Sequence, residues 1–291
     1  MIDVQIPLPD GHISGYAFGQ VDRPVDLMFF HATGLNARCY RSLFDPFVQD
    51  HHIVAIDQRG HGRTRLLAHP GRLTSWDRYA QDSIAVLQQL CQRGQRPPVL
   101  MGHSMGATLS LLLAERNPTY VRRLILCDPP IMKPSVRKFL YAPLMPLLFS
   151  HYFPIAKTAR RRRTHYVSYE EVIKSYRGRG IFKNWKPGFL EDYVKDGFRD
   201  SPTGGIEITC DPAWESATFA AQRHNAIRAA RKITKPIHML QASHNSVTDI
   251  LKPEDFHHPA SRWDIIAGGH CFPMENPQAL QEVMQAALRE G

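Results

Sequence analysis

Cysteine is sparse in this chain. Five residues (Cys39, Cys91, Cys127, Cys210, Cys271) are an odd number, widely spaced and without a C-x-x-C pair. That pattern argues against a disulfide scaffold and fits free thiols in a reducing cytoplasm, the expected location. Long apolar runs are missing too. No stretch reaches the ~18 uncharged apolar residues of a membrane span, and the opening MIDVQIPLPDGHISG has neither a basic start nor a long apolar segment. Neither a membrane partner nor a signal peptide is expected. The histidine pairs His51-His52 and His257-His258 lack helical metal spacing and carboxylate companions, so they read as surface residues and no metal or organic cofactor is called for. Internal repeats and low-complexity linkers are also wanting.

What is present is apolar bulk and an uneven charge. Of 291 residues, 43% are apolar, enough for a large core in one domain or a domain with an insertion. The net charge is +9, yet 20 of the 36 Lys and Arg fall between Ile131 and Lys235, against 9 of the 27 Asp and Glu. The basic character belongs to that middle third, and Arg160-Arg161-Arg162-Arg163 is its sharpest feature. No recognition motif or aromatic-basic interleaving accompanies the run, so it reads as a solvated face and not as a nucleic-acid surface.

Short apolar runs punctuate the rest. Asp26–His31, His52–Asp57, Pro98–Gly102, Arg123–Asp128, Pro236–Gln241 and Arg262–Ile266 read as buried strands. Helical patterns over Cys39–Gln49, Trp76–Cys91, Met105–Asn117 and Pro277–Glu290 fall among them. This alternation predicts a parallel sheet covered on both faces. Val4–Leu8 and Ile13–Phe18 read as an antiparallel pair at its edge, giving an α/β fold with a mostly parallel, eight-stranded twisted sheet. Residues 131–235 break the alternation with patchy helices such as Tyr169–Tyr176 and Ala213–Ala229. They are expected to form a helical cap inserted after the sixth strand, over a core of residues 1–130 and 236–291.

The stretch PVLMGHSMGATLSLLLAE (residues 98–115) holds the clearest chemical signal. A strand that turns sharply into a helix exposes the one side chain at its tip, and the residues two positions away must be small because the chain doubles back. Gly102 and Gly106 meet that need around Ser104. The turn also sets Ser104 at a helix N-terminus, whose free N–H groups stabilise a developing oxyanion. This is the G-x-S-x-G nucleophile elbow in its strand-turn-helix context. A serine nucleophile needs a base. Of fifteen histidines, His270 in IIAGGHCFPMENP sits best: after the last strand, in a Gly-Gly loop, before the final helix. His103 adjoins Ser104, so the turn points it elsewhere, to pack the elbow. Asp57 is expected to hold the loop Gln58–Gly62.

These motifs resemble the α/β-hydrolase family of serine hydrolases. HATGLNA resembles its oxyanion loop, DQRGHGRT the loop after the next strand, GHSMG the elbow and GGHCFPMENP the histidine loop. The resemblance covers residues 1–130 and 236–291; the middle segment corresponds to a lid in the usual place. It implies an oxyanion hole from the backbone N–H groups of Thr33 and Met105, with Ala32 where the family often has glycine. It also implies a triad carboxylate after the Pro236–Gln241 strand, but in QASHNSVTD that position holds Asn245. Three alternatives follow. Asp128, ending the preceding strand, is favoured, since some members use that position. Asp249 lies four residues past Asn245, and Asn245 itself is a neutral substitute. The aspartate before Pro129-Pro130 also suits a plain Asx turn.

The expected activity is hydrolysis of a carboxylic ester or related acyl bond, a thioester or lactone, in a small-molecule acyl substrate through a Ser-His-acid triad. Alternatives are a C–C bond hydrolase of keto-acids and a non-catalytic binding protein on the same fold. Lid aromatics (Phe139, Tyr141, Phe149, Tyr152, Phe153, Phe182, Trp185, Trp214, Phe219) either line an apolar pocket or pack the lid. One of Arg177, Arg179 or Arg199 is a candidate to meet a substrate carboxylate. The oligomeric state stays open.

Overall fold

The computed structural model describes residues 1–91, 94–142, 145–248 and 250–289. The main sheet grows from runs with no polar face. β3 (Leu27–Phe30), β4 (His52–Ile56) and β6 (Val99–His103) are buried along their whole length. A strand so covered must have helices on both sides. β1 (Ile2–Leu8) and β2 (Gly11–Gly19) form an antiparallel hairpin at one edge, with β2 antiparallel to β4. The two-residue β5 (Arg65–Leu66) also pairs with β2. From β4 onward all pairs are parallel, through β7 (Arg123–Cys127), β11 (Ile237–Ala242) and β12 (Arg262–Ile266). The order is β1-β2-β4-β3-β6-β7-β11-β12. The chain leaves β3 for β4 on one side, then returns to lay β6 on the other. A crevice opens at such a switch, beyond the strand C-termini.

The sheet is covered by α2 (Asp77–Leu90), α3 (Met105–Arg116) and α12 (Pro277–Arg289), with α1 (Arg41–Phe44) and α11 (Phe272–Glu275) as single turns. Two helices differ from their sequence patterns. The Cys39–Gln49 pattern is broken into a 3-10 turn, α1 and a second 3-10 turn, because Pro46 supplies no N–H and crowds the preceding turn. The Ala213–Ala229 pattern splits into α9 (Pro212–Ala220) and α10 (Ala226–Lys232). Gln222 is drawn into a bridge with Ser75, and the Asn225 side chain restarts the helix by accepting the Arg228 N–H. His52 is buried in β4, not on the surface, its Nδ1 2.7 Å from the Arg23 carbonyl.

Between β7 and β11 the chain adds α4 (Pro134–Leu140), α5 (Met145–Tyr152), α6 (Pro154–Arg160), α7 (Tyr169–Tyr176), α8 (Phe189–Gly197) and then α9 and α10. It also adds a small antiparallel sheet of β8 (His165–Tyr166), β9 (Phe198–Asp200) and β10 (Ile206–Ile208) that the sequence patterns did not indicate. Among the described residues no helix is long and apolar enough to cross a membrane, and the five cysteines are free.

Candidate functional site

At the end of β6 the backbone reverses so tightly that Ser104 takes φ +55°, ψ −118°, a conformation costing of order 1–3 kcal/mol for a residue with a Cβ. The flanking glycines make this possible. A Cβ on Gly102 would lie 2.2 Å from the Gly106 carbonyl, and one on Gly106 would lie 2.0 Å from the Phe30 oxygen at the end of β3. The Ser104 N–H bonds to the Cys127 carbonyl, tying the turn to β7. Ser104 Oγ is thereby presented over the sheet, at the N-terminus of α3.

Its partner is His270. Nε2 lies 3.0 Å from Ser104 Oγ, and Nδ1 lies 2.6 Å from Asp128 Oδ2. An ionised carboxylate only accepts, so the imidazole donates from Nδ1 and accepts from the serine hydroxyl at Nε2. Asp128 is fully buried at φ +48°. Its Oδ1 accepts from Ser246 Oγ (2.5 Å) and the Ala242 N–H (3.3 Å), and its Oδ2 also accepts from the Val247 N–H (3.1 Å). Burial presses this carboxyl upward. The hydrogen bond and charge of His270, joined by Ser246 and Val247, outweigh that and hold it below the usual carboxylate range.

The loop after β11 therefore delivers the donors Ser246 and Val247 to Asp128. Asn245 sits in it at φ +52° with its side chain exposed, so its role in holding His270 is not supported: Asp128 fills the Nδ1 position. Asp249 lies outside the described residues.

A buried line of polar groups joins the loops beneath. The Ala32 N–H donates to Tyr40 Oη (3.2 Å), Tyr40 Oη lies 2.7 Å from His103 Nδ1, and His103 Nε2 lies 2.8 Å from the His270 carbonyl. The carbonyl can only accept, so His103 donates at Nε2 and accepts the Tyr40 O–H hydrogen bond at Nδ1. Burial, and then the neighbouring His270, push His103 down to about 3, so it is neutral. Asp57 holds both flanking loops: its carboxylate accepts from the Ala37 N–H (2.7 Å) and the Arg63 N–H (2.8 Å).

Thr33, Ser104 and His270 face one cavity of about 250 Å³. Trp76, Ile131, Met132, Phe153, Ile155 and Phe219 make its wall largely apolar. Gln222 brings the one side-chain amide, its Nε2 donating to the Phe219 carbonyl at 3.2 Å. The Met105 N–H, first in α3, has no acceptor within the helix. Among the described residues no group of three or more His, Cys, Asp or Glu is gathered as a metal site requires.

The arginines distribute differently from the sequence reading. Arg177 and Arg199 are exposed and paired with Glu191 and Glu207; Arg179 is exposed as well. None lines the cavity, since their helix and strand ends face solvent. Arg162, one of the four-arginine run, instead turns inward: it donates to Glu215 (2.7 Å) and to Tyr193 Oη (2.8 Å). Of the candidate lid aromatics, Phe153 and Phe219 reach the cavity, whereas Phe139, Tyr141 and Tyr152 are exposed. Trp76, Gln222 and Arg162 were missed. Only tertiary placement marks all three: Arg162 lies just past the end of α6, and its partner Glu215 is far along the chain.

Residues 25–183 match the model of the family described as Serine aminopeptidase, S33 (Hydrolase_4). The chain is 24% identical to 3-oxoadipate enol-lactonase 2 of Acinetobacter baylyi, an alignment covering 94% of this chain and 91% of that protein. In structure it is similar to E-2-(acetamidomethylene)succinate hydrolase, with TM-score 0.77 at 19% identity, covering 99% of this chain and 98% of the other. The thioesterase domain from the curacin biosynthetic pathway is as similar, at TM-score 0.77 and 17% identity over 98% and 99% of the two chains.

Proposed function

Starting from a chain that belongs to the Serine aminopeptidase S33 family and has the α/β-hydrolase fold, we propose that this enzyme hydrolyses a neutral carboxylic ester or related acyl bond, with residues 131–235 as its cap. The observation that carries the reading is the unbroken line Asp128–His270–Ser104, ending at a serine that faces an apolar cavity. Ser104 Oγ attacks the carbonyl carbon while its proton passes to His270 Nε2. Buried Asp128 stays anionic and stabilises the imidazolium. The tetrahedral oxyanion accepts from the N–H groups of Thr33 and Met105. His270 then returns the proton to the leaving group, whose bond to the acyl carbon breaks. In the second half, water gives its proton to His270, attacks the acyl-enzyme, and the acid leaves as Ser104 regains its proton.

A second reading, a keto-acid or dicarboxylate substrate, takes its motive from the names of the enol-lactonase and succinate hydrolase relatives. The cavity wall favours the neutral substrate: among the described residues it contains no Lys or Arg. The bond from Asp128 to His270 also takes away the motive for a merely ligand-binding protein.

The test pairs fluorophosphonate labelling with turnover of a p-nitrophenyl ester. Ser104→Ala is expected to abolish labelling and lower kcat by about 10⁴-fold or more. Folded wild-type protein that neither reacts with the probe nor turns over the ester would overturn the proposal.

A further inference from the structure

A second chamber, of about 360 Å³, adjoins the site cavity and shares Thr33, Ile155 and Phe219 with it as common wall. We propose that this chamber is a binding subsite for an apolar limb of the substrate, a medium-length alkyl chain or an aryl group, and that Arg162 is locked out of ligand recognition there. The inference rests on the acyl-hydrolase reading above.

Three observations carry it. The first is position. Thr33 supplies an oxyanion N–H in the proposed mechanism and borders both spaces. A substrate carbonyl carbon bears two limbs besides its oxygen, so with the oxygen on Thr33 and Met105, one limb lies in the site cavity and the other passes Thr33 into the chamber. The second is chemistry. Ala159, Ile181, Phe182 and Tyr176 give the chamber a largely apolar wall. Ile155 and Ile181 remain 47% and 53% exposed, apolar area that a ligand would cover. The third is charge. Arg162 and Arg163 border the chamber, yet the charge of each is already balanced: Arg162 by Glu215, with Tyr193 and Tyr176 beside it, and Arg163 by Glu171. A carboxylate entering would compete with Glu215 or Glu171 for these guanidinium groups, whereas a neutral chain displaces only water. The volume equals about twelve waters at ~30 Å³ each. Each methylene taken from water is worth roughly fourfold in binding.

The experiment measures kcat/KM in two series, p-nitrophenyl acetate against octanoate and ethyl acetate against octyl acetate. The first lengthens the acyl limb and the second the alcohol limb. Wild type is expected to favour the long member at least tenfold in one series, which identifies the limb the chamber takes. Ala159→Phe, which fills the chamber, and Ile181→Glu, which sets a carboxylate at an exposed position on its wall, are expected to bring that ratio near unity. If Ala159→Phe fails to fold, Ile181→Glu decides. Hydrolysis of both short esters with no chain-length preference, or with a preference that Ile181→Glu leaves intact, overturns the subsite and spares the acyl-hydrolase reading. Absence of hydrolysis and of Ser104 labelling overturns both.

Discussion

In β4 and β6 every residue is buried, and the loops leaving the strands are pinned by charge and hydrogen bond: Asp57 to Ala37 and Arg63, Arg59 to Asp82 and Asp10. Across the cavity, α4, α5 and α6 leave Phe139, Leu148, Tyr152 and Ile155 exposed. The sheet sets Ser104, Asp128 and His270 at hydrogen-bonding distances of 3.0 and 2.6 Å, as proton transfer requires. The inserted segment supplies surface and volume, which tolerate substitution far better. The two meet at α9. Trp214 Nε1 donates to the Arg59 carbonyl, and its ring fills the space where a Cβ on Gly60 would come within 2.2 Å. Beside it, Glu215 stands where a Cβ on Gly34 would come within 2.3 Å. Two missing side chains on the loops leaving β3 and β4 thus become notches that seat two large ones from the insertion. On the proposed reading the sheet holds the chemistry and the segment above it supplies the substrate-binding wall.

That division can be broken most severely at Asp128. Asp128→Asn keeps the shape but cannot hold His270 as an imidazolium, and the amide can present the wrong hydrogen-bonding face. We expect kcat to fall by about 10³- to 10⁴-fold, measured on an aryl ester, with little change in KM. A near-normal rate would move the acid elsewhere.

The seam comes next. Gly60→Ala, at φ +72° and against Trp214, should cost about 2–3 kcal/mol by urea denaturation. It should also disturb ester selectivity more than fluorophosphonate labelling of Ser104. Equal loss of both would mean that the two regions are not separable.

A smaller effect is a shared response to acid. Burial first, in each case, pushes His61 and His224 to about 4, His103 to about 3 and His31 well below its ordinary value. Unfolding lets them bind protons, so between pH 4 and 6.5 stability rises with pH; their contribution is complete above that window and lost as pH falls through it. Asp57, raised to about 7 chiefly by burial, and Asp192, raised by burial, act in the opposite sense, but they are two groups against four. Urea midpoints at pH 5 should lie below those at pH 7.5.

The smallest expected change is at Asn245. Asn245→Ala should leave turnover within about twofold, since the side chain is exposed and the donors to Asp128 are Ser246, Val247 and Ala242.

The sheet and the elbow were legible because their requirements are local. A strand must be apolar where both faces are covered, and only glycine fits two residues either side of Ser104. His270 was legible from its loop and chain order. The carboxylate beside His270 was only half legible, since placing Asp128 there depends on where the loop after β11 aims its N–H groups. The burial of Arg162 was not legible at all. It depends on Glu215, fifty-three residues further on, and nothing in four consecutive arginines tells which one meets it. The split between α9 and α10 depends likewise on the bridge from Gln222 to Ser75.

Because Asp128 closes β7, the serine and the carboxylate both precede the insertion, and only the imidazole follows it. A chain severed within the insertion would carry two members of the line on one piece and the third on the other. Each half alone would be inert, and recovered ester turnover on mixing would report that the halves had found each other.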